Sequence, residues 1–358
     1  MAAPTAQAPA ISPALRLRRW HAWLVVWRIH RWLGLGFGAL LVLLSASGSL
    51  LVVHHELEHW LEPELRVGVP AAGAVRPALA DLARTVSDLA PKGYRPFRIL
   101  PANRENAAHQ FLFRAADSTA RWSVFVEPAT GRVLWSGPDQ ALLTPWLLGF
   151  HMQLQAGRNG YYVTGLAGIG LVLLALTGLY IHRERLTQLW RHPFRLHLGW
   201  RVAFADLHKW IGIFGLYFQL ILGVTGTLYV LSGLKATSAA PPTIVAPFDV
   251  SRLAPLEPMF AVAREKLPDA EVIRAQLPAQ TGGAIVVLLL HREAPPWQKF
   301  SRVEFDAYTG ALRTVRAAAT APAGDQFASM LAPLHFGFYG AAWVKWAYFI
   351  GGLSPALL

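Results

Sequence analysis

Two histidines sit in matching surroundings far apart in the chain. His30 is followed by Arg31, Trp32, Leu33 and Gly34, and His208 by Lys209, Trp210, Ile211 and Gly212. Eighteen residues after each comes a hydroxyl-flanked glycine, Gly48 between Ser47 and Ser49 and Gly226 between Thr225 and Thr227. At about 3.6 residues per turn that spacing is five turns, so imidazole, near glycine and distal glycine share one helix face. Such a face suits a flat macrocycle, with Gly34, Gly48, Gly212 and Gly226 letting it approach. A second matched pair, His151 and His335, is separated by 184 residues, against 178 for the first. Imidazole binds haem iron axially, so two histidine pairs read as two bis-imidazole haem b sites. His182 and His54, at the ends of apolar runs, are the candidate substitutes. The plainer alternative is that these histidines anchor helix ends at a membrane interface, and their doubling into two pairs weighs against it.

The elements that must position them are membrane helices. The chain has 358 residues, 54% of them hydrophobic and 15% charged, and the apolar residues concentrate in four runs near 33–53, 161–181, 211–231 and 341–358. The first three are each long enough for a hydrocarbon layer of about 30 Å. The formal charge of +12 is placed beside these runs: Arg16, Arg18, Arg19, Arg28 and Arg31 precede the first, and Arg183, Arg185, Arg191, Arg195, Arg201 and Lys209 separate the second from the third. That is a topological pattern, not a nucleic-acid surface, and it puts both termini and the 183–207 loop in the cytoplasm. The first run is too long for a cleavable signal and reads as a signal anchor.

Between the runs the composition changes to that of small α+β domains. A helix at 78–89 and strands at 94–100, 110–114, 122–127 and 132–135 are predicted in the first half, and a helix at 258–267 with strands at 271–277, 284–291, 301–306 and 311–314 in the second. Glu127 with Thr130 and Gly131 recurs as Asp306 with Thr309 and Gly310, 179 residues on. These turns read as structural, the glycine supplying positive φ and the acid capping. The chain is thus a tandem repeat of span, exported domain, span. The fold class is membrane α-helical, a four-helix transmembrane core with two exported α+β domains. Its divisions are a disordered 1–13, a basic segment and first span at 14–53, exported domains at 54–141 and 233–333, an interfacial segment and second span at 142–182, the 183–207 loop, a third span at 208–232 and a short fourth at 334–358.

Other chemistries are narrowed by what the sequence holds. With no cysteine there can be no disulfide, iron–sulfur cluster or covalently attached haem. Gly34, Gly36 and Gly38 lie inside an apolar span, so they are no dinucleotide-binding turn. His55, Glu56 and His59 match the two-histidine zinc protease pattern, but the second half has no counterpart, and an acidic cluster just past a span is the bland reading.

The His-x-Trp-x-Gly starts, the exported domains closing in acid-x-x-Thr-Gly, the Leu/Phe-His before the next span and the Thr177–Tyr180 end of span two resemble the PepSY-associated transmembrane family over about 24–358. This resemblance implies two periplasmic PepSY domains, a di-haem b core in the bacterial inner membrane, and His30, His208, His151 and His335 as axial ligands. It implies an oxidoreductase that reduces a ferric siderophore or ferric chelate in the periplasm with electrons from a cytoplasmic or membrane donor. Span four lacks the Thr-Gly end of span two. Two other readings stand beside it: a haem-free PepSY binding or regulatory protein, and a b-type cytochrome serving a quinone or a periplasmic oxidoreductase.

Overall fold

A computed structural model describes residues 13–67, 76–103, 107–116, 118–183, 194–238 and 246–358. The expected disordered leader, except Pro13, and positions 184–193 of the basic loop lie outside the described residues.

The first apolar run belongs to a single long helix, α1 (Pro13–Val52), which carries His30 in its interior. A short helix α2 (His54–Leu61) follows at its far end. After the first set of strands come α4 (Leu143–Gln153) and α5 (Gly157–His182). Leu154 and Gln155 between them adopt positive φ, a left-handed break that turns the chain. Gly160 is required there, because a Cβ would lie 1.6 Å from the Gln153 carbonyl oxygen.

In the second half the counterpart of α1 is broken. Helices α6 (Trp200–Phe214) and α7 (Leu216–Ser238) meet at Gly215 and are bent by 62°. Among the described residues, α1 and α5 are long and apolar enough to cross a membrane, and the α6–α7 pair is a third span if it is counted as one. The expected fourth span is not one helix. Its region is divided into α9 (Ala323–Phe336), α10 (Ala342–Gly352) and α11 (Ser354–Leu357), with breaks at Gly337, in the left-handed region, and at Leu353. Eleven residues rise only about 16 Å, short of the hydrocarbon thickness. Small residues close the bundle at its centre: a Cβ on Gly168 would meet Thr227 Oγ1 at 2.5 Å, and one on Gly223 would meet Val172 at 2.8 Å. Close backbone approach of this kind is how apolar helices associate in lipid.

The segments between the apolar runs carry α3 (Leu79–Ser87) with β1 (Tyr94–Leu100), β2 (His109–Ala115), β3 (Arg121–Val126) and β4 (Val133–Pro138). They also carry α8 (Leu256–Lys266) with β5 (Glu271–Gln276), β6 (Ala284–Leu290), β7 (Phe300–Asp306) and β8 (Leu312–Arg316). Strand alternation explains the layering, since Phe111, Phe113, Val124 and Val126 of one half and Ile285, Val287, Val303 and Phe305 of the other all point to the helix side. The two segments do not form separate domains. All eight strands make one antiparallel sheet in the order β4-β3-β2-β1-β5-β6-β7-β8. The seam pairs Arg98 with Gln276 and Ile99 with Ala275, and Leu277 N–H donates to Phe97 O at 3.0 Å. Both helices share one apolar core with it, and Leu79 N–H donates to Glu257 Oε1 at 2.6 Å across the halves. An edge strand with unpaired backbone groups is satisfied by its own copy, a long-range match that local sequence pattern does not reveal.

The two acid-x-x-Thr-Gly turns are structural, as the sequence predicts. Gly131 and Gly310 both have φ of +73°, and their N–H groups donate to Glu127 O and Asp306 O at 2.9 and 3.0 Å.

Candidate functional site: two histidine pairs

The fold brings the four repeat-related histidines together in the expected pairs. His30 and His208 have ring centres 6.1 Å apart with planes at 88°, and His151 and His335 have centres 6.2 Å apart at 47°. His151 sits on α4 and His335 on α9, each near the end of the helix that precedes a span or its counterpart. The pairs lie at different levels: Gly48, which touches His151, is 18 residues beyond His30 on the continuous α1, an axial rise of about 27 Å.

What holds three of the four rings is a hydroxyl. Thr177 Oγ1 lies 2.9 Å from His30 Nδ1, Ser47 Oγ 3.1 Å from His151 Nδ1, and Thr225 Oγ1 2.9 Å from His335 Nδ1. Each hydroxyl spends its own proton on the preceding helical turn, at Leu173 O (2.6 Å), Leu43 O (2.8 Å) and Ile221 O (2.5 Å). It therefore accepts from the ring, which fixes the tautomer with hydrogen on Nδ1 and a bare lone pair on Nε2. His208 Nδ1 has the same kind of partner in the Leu358 carbonyl oxygen, at 3.1 Å. The residue after each hydroxyl is a glycine that makes room for the imidazole. A Cβ on Gly48 would lie 2.7 Å from His151 Cε1, on Gly226 3.1 Å from His335 Cε1, and on Gly178 3.3 Å from His30 Cε1.

Gly48 and Gly226 seat imidazoles, whereas Gly212 faces open space and Gly34 has only Leu174 Cδ2 at 3.9 Å. Ser47, Thr177, Thr225 and Gly178 are site residues whose roles sequence reasoning missed, although the recurring hydroxyl–glycine step was visible. His182 is close enough to His30 for their charges to interact. His54 joins neither pair and belongs with His55 and Glu58.

The rings fit the group they are expected to hold. An imidazole nitrogen binds a first-row metal ion at roughly 2 Å and its ring centre lies about 1 Å further back, so rings on opposite sides of one iron are centred about 6 Å apart. Beside His151 and His335 is a cavity of about 140 Å³, lined largely by apolar residues including Leu41, Leu44, Leu171 and Leu222.

The sheet presents a contrasting surface. On the face away from α3 and α8, strand register places Arg98, Arg114, Arg121, Arg274 and Arg302. Burial, then Arg274, Arg121 and Arg114, push the Arg98 guanidinium down to about 10, and burial with Arg302 lowers Arg274. Arg274 also interacts electrostatically with Tyr229, which lines the cavity beside His335. Its Nε is buried without a hydrogen-bond partner. Crowded cations of this kind favour an anion.

At the opposite end Asp206, fully buried, is clamped by Arg195 at 2.8 and 2.9 Å and by Lys209 at 3.2 Å. This ties the basic segment to α6 two residues from His208. Trp23 Nε1 donates to Ile181 O at 3.3 Å and joins α1 to α5 at that level.

A family model described as the PepSY-associated TM region matches residues 27–358. The chain belongs to this family. A protein of Pseudomonas aeruginosa described as uncharacterized protein PA4219 is 28% identical over 233 residues, covering 59% of this chain and 58% of that one. The match thus spans less than two thirds of that relative's length.

Proposed function

We propose that this PepSY-associated membrane protein is a di-haem b oxidoreductase of ferric chelates, with His30 and His208 as one axial ligand pair and His151 and His335 as the other. The observation that carries the proposal is the repeated geometry: two ring pairs near 6 Å, with every Nδ1 engaged by an oxygen. When bound, haem supplies one-electron redox chemistry at both levels of the bundle.

The chain's own residues do the rest. Ser47, Thr177 and Thr225 hold the rings in one tautomer and orientation, which raises ligand basicity. The apolar cavity wall keeps water from the sheet-end pair. The arginine face of the sheet receives a net-anionic ferric chelate next to that pair. Fe(II) binds hard oxygen donors more weakly than Fe(III), so reduction releases the metal. Under the positive-inside rule the sheet is periplasmic, the bilayer is the bacterial inner membrane and the electron donor acts at the basic end.

The test is a pyridine haemochrome assay on purified protein, expected to give about two haems per chain for two His pairs. Stopped-flow mixing of the dithionite-reduced protein with ferric chelates follows. Anionic chelates should oxidise it faster than cationic ones, and Arg98→Gln with Arg274→Gln should narrow that gap. Colourless protein from haem-replete cells would overturn the proposal. Two haems that no ferric chelate oxidises would leave a cytochrome serving another acceptor.

A further inference from the structure

We infer that His54, His55 and Glu58, at the sheet end of α1, form a binding site for a divalent first-row transition-metal ion. The site itself does not depend on the reductase reading. Its assignment to Fe(II), as the ion released by reduction, rests on that reading.

One donor atom from each of the three residues can be chosen so that all lie within 4.8 Å of one another. His54 and Glu58 are one helical turn apart on α2 and share a face. His55 Nδ1 lies 3.6 Å from Glu58 Oε2, and the two imidazole centres are 3.9 Å apart. His54 Nδ1 donates to Leu51 O at 2.7 Å, which leaves Nε2 as the ligand atom and backs it as ligating histidines are usually backed.

The neighbouring carboxylates are committed elsewhere. Glu56 is paired with Lys345 Nζ at 2.6 and 2.7 Å, and Glu62 Oε1 accepts the Leu143 N–H at 2.8 Å. Glu58 is the carboxylate turned to the imidazoles. This arrangement also removes the zinc-protease alignment, in which Glu56 would be a free base between His55 and His59.

Two neutral imidazoles and one carboxylate, with coordination positions left open, suit Fe(II), Zn(II) or Cu(II). They do not suit Mg(II) or Ca(II), which prefer all-oxygen shells. Leu51 and Val52, three and two residues before His54, line the cavity beside His151 and His335. An ion bound at His54 is therefore one short step in the chain from the sheet-end pair.

The experiment is equilibrium dialysis of the full-length protein in detergent against Zn(II), with metal measured by mass spectrometry. Wild type should bind about one zinc per chain at this site, and His55→Ala and Glu58→Gln should each weaken binding at least about tenfold. His59→Ala should bind as wild type does. Thermal melts qualify the variants, and Glu58→Gln, which keeps the side-chain shape, carries the test if His55→Ala does not fold. Absence of saturable zinc binding, equal binding by the Glu58→Gln variant, or a loss that follows His59→Ala would overturn the site. Anaerobic dialysis against isotopically labelled Fe(II), distinct from haem iron, tests the natural ion. Zinc binding without Fe(II) binding would overturn the iron assignment alone.

Discussion

The two histidine pairs are copies of one design in unlike settings. At the sheet end, His151 and His335 are both held by helix hydroxyls, Ser47 and Thr225, and adjoin a largely apolar cavity. At the basic end, His30 has its hydroxyl in Thr177, but His208 is exposed and its Nδ1 meets a backbone carbonyl. The same ring spacing is thus enclosed in one place and open in the other. Enclosure favours retention of an apolar group and restricts access to it. Openness leaves an edge where a redox partner can approach.

The largest expected effect comes from deleting a ligand. His335→Ala and His208→Ala should each reduce haem content by about half, and the two difference spectra then assign the signals to their pairs. Equal haem content in His335→Ala and wild type would break the comparison outright. Next is retention in the intact protein. On dilution into an excess of a haem-scavenging protein, haem from the exposed basic-end pair should leave at least about tenfold faster than that from the enclosed pair.

Steric substitutions sharpen the comparison further. The clearances of 2.7, 3.1 and 3.3 Å predict that Gly48→Ala disturbs its imidazole most, Gly226→Ala less and Gly178→Ala least. The midpoint potential of the corresponding haem, followed by redox titration, should shift in that order. Thr225→Val, which removes the oxygen facing His335 while keeping the shape, should weaken haem retention by about tenfold.

The smallest effect lies outside both pairs. His109 Nδ1 accepts the Ala102 N–H at 2.8 Å, and burial pushes its pKa from 6.5 down to about 4. A depressed histidine leaves the folded state with fewer protons than the unfolded one, so stability is full above 6.5 and is lost as pH falls towards 4. Allowing for solvent screening, the loss should be about 2 kcal/mol, read from denaturant melts at both pH values and diminished in His109→Gln. Haem spectra should not change with it.

Much of this molecule was legible in its sequence because it is written twice. The duplication paired His30 with His208 and His151 with His335 without reference to any structure. Strand β1 was predicted at its observed limits, since its flanking turns are explicit. What remained hidden depends on contacts distant in the chain. The seam between Ile99 and Ala275 joins strands whose local patterns are complete without it. The roles of Ser47, Thr177 and Thr225 depend on where a ring from another helix arrives, and small hydroxyl residues are common in membrane helices for other reasons. The fourth apolar run looked like a span by composition, but its glycines and Pro355 divide it.

The seam has a consequence for the halves taken singly. A half produced alone would carry β1 or β5 as an open border, and only one imidazole of each couple. Neither pair of rings could be completed by it. Two such halves would have to associate before either ring pair could form, and that border is one of the surfaces along which they meet.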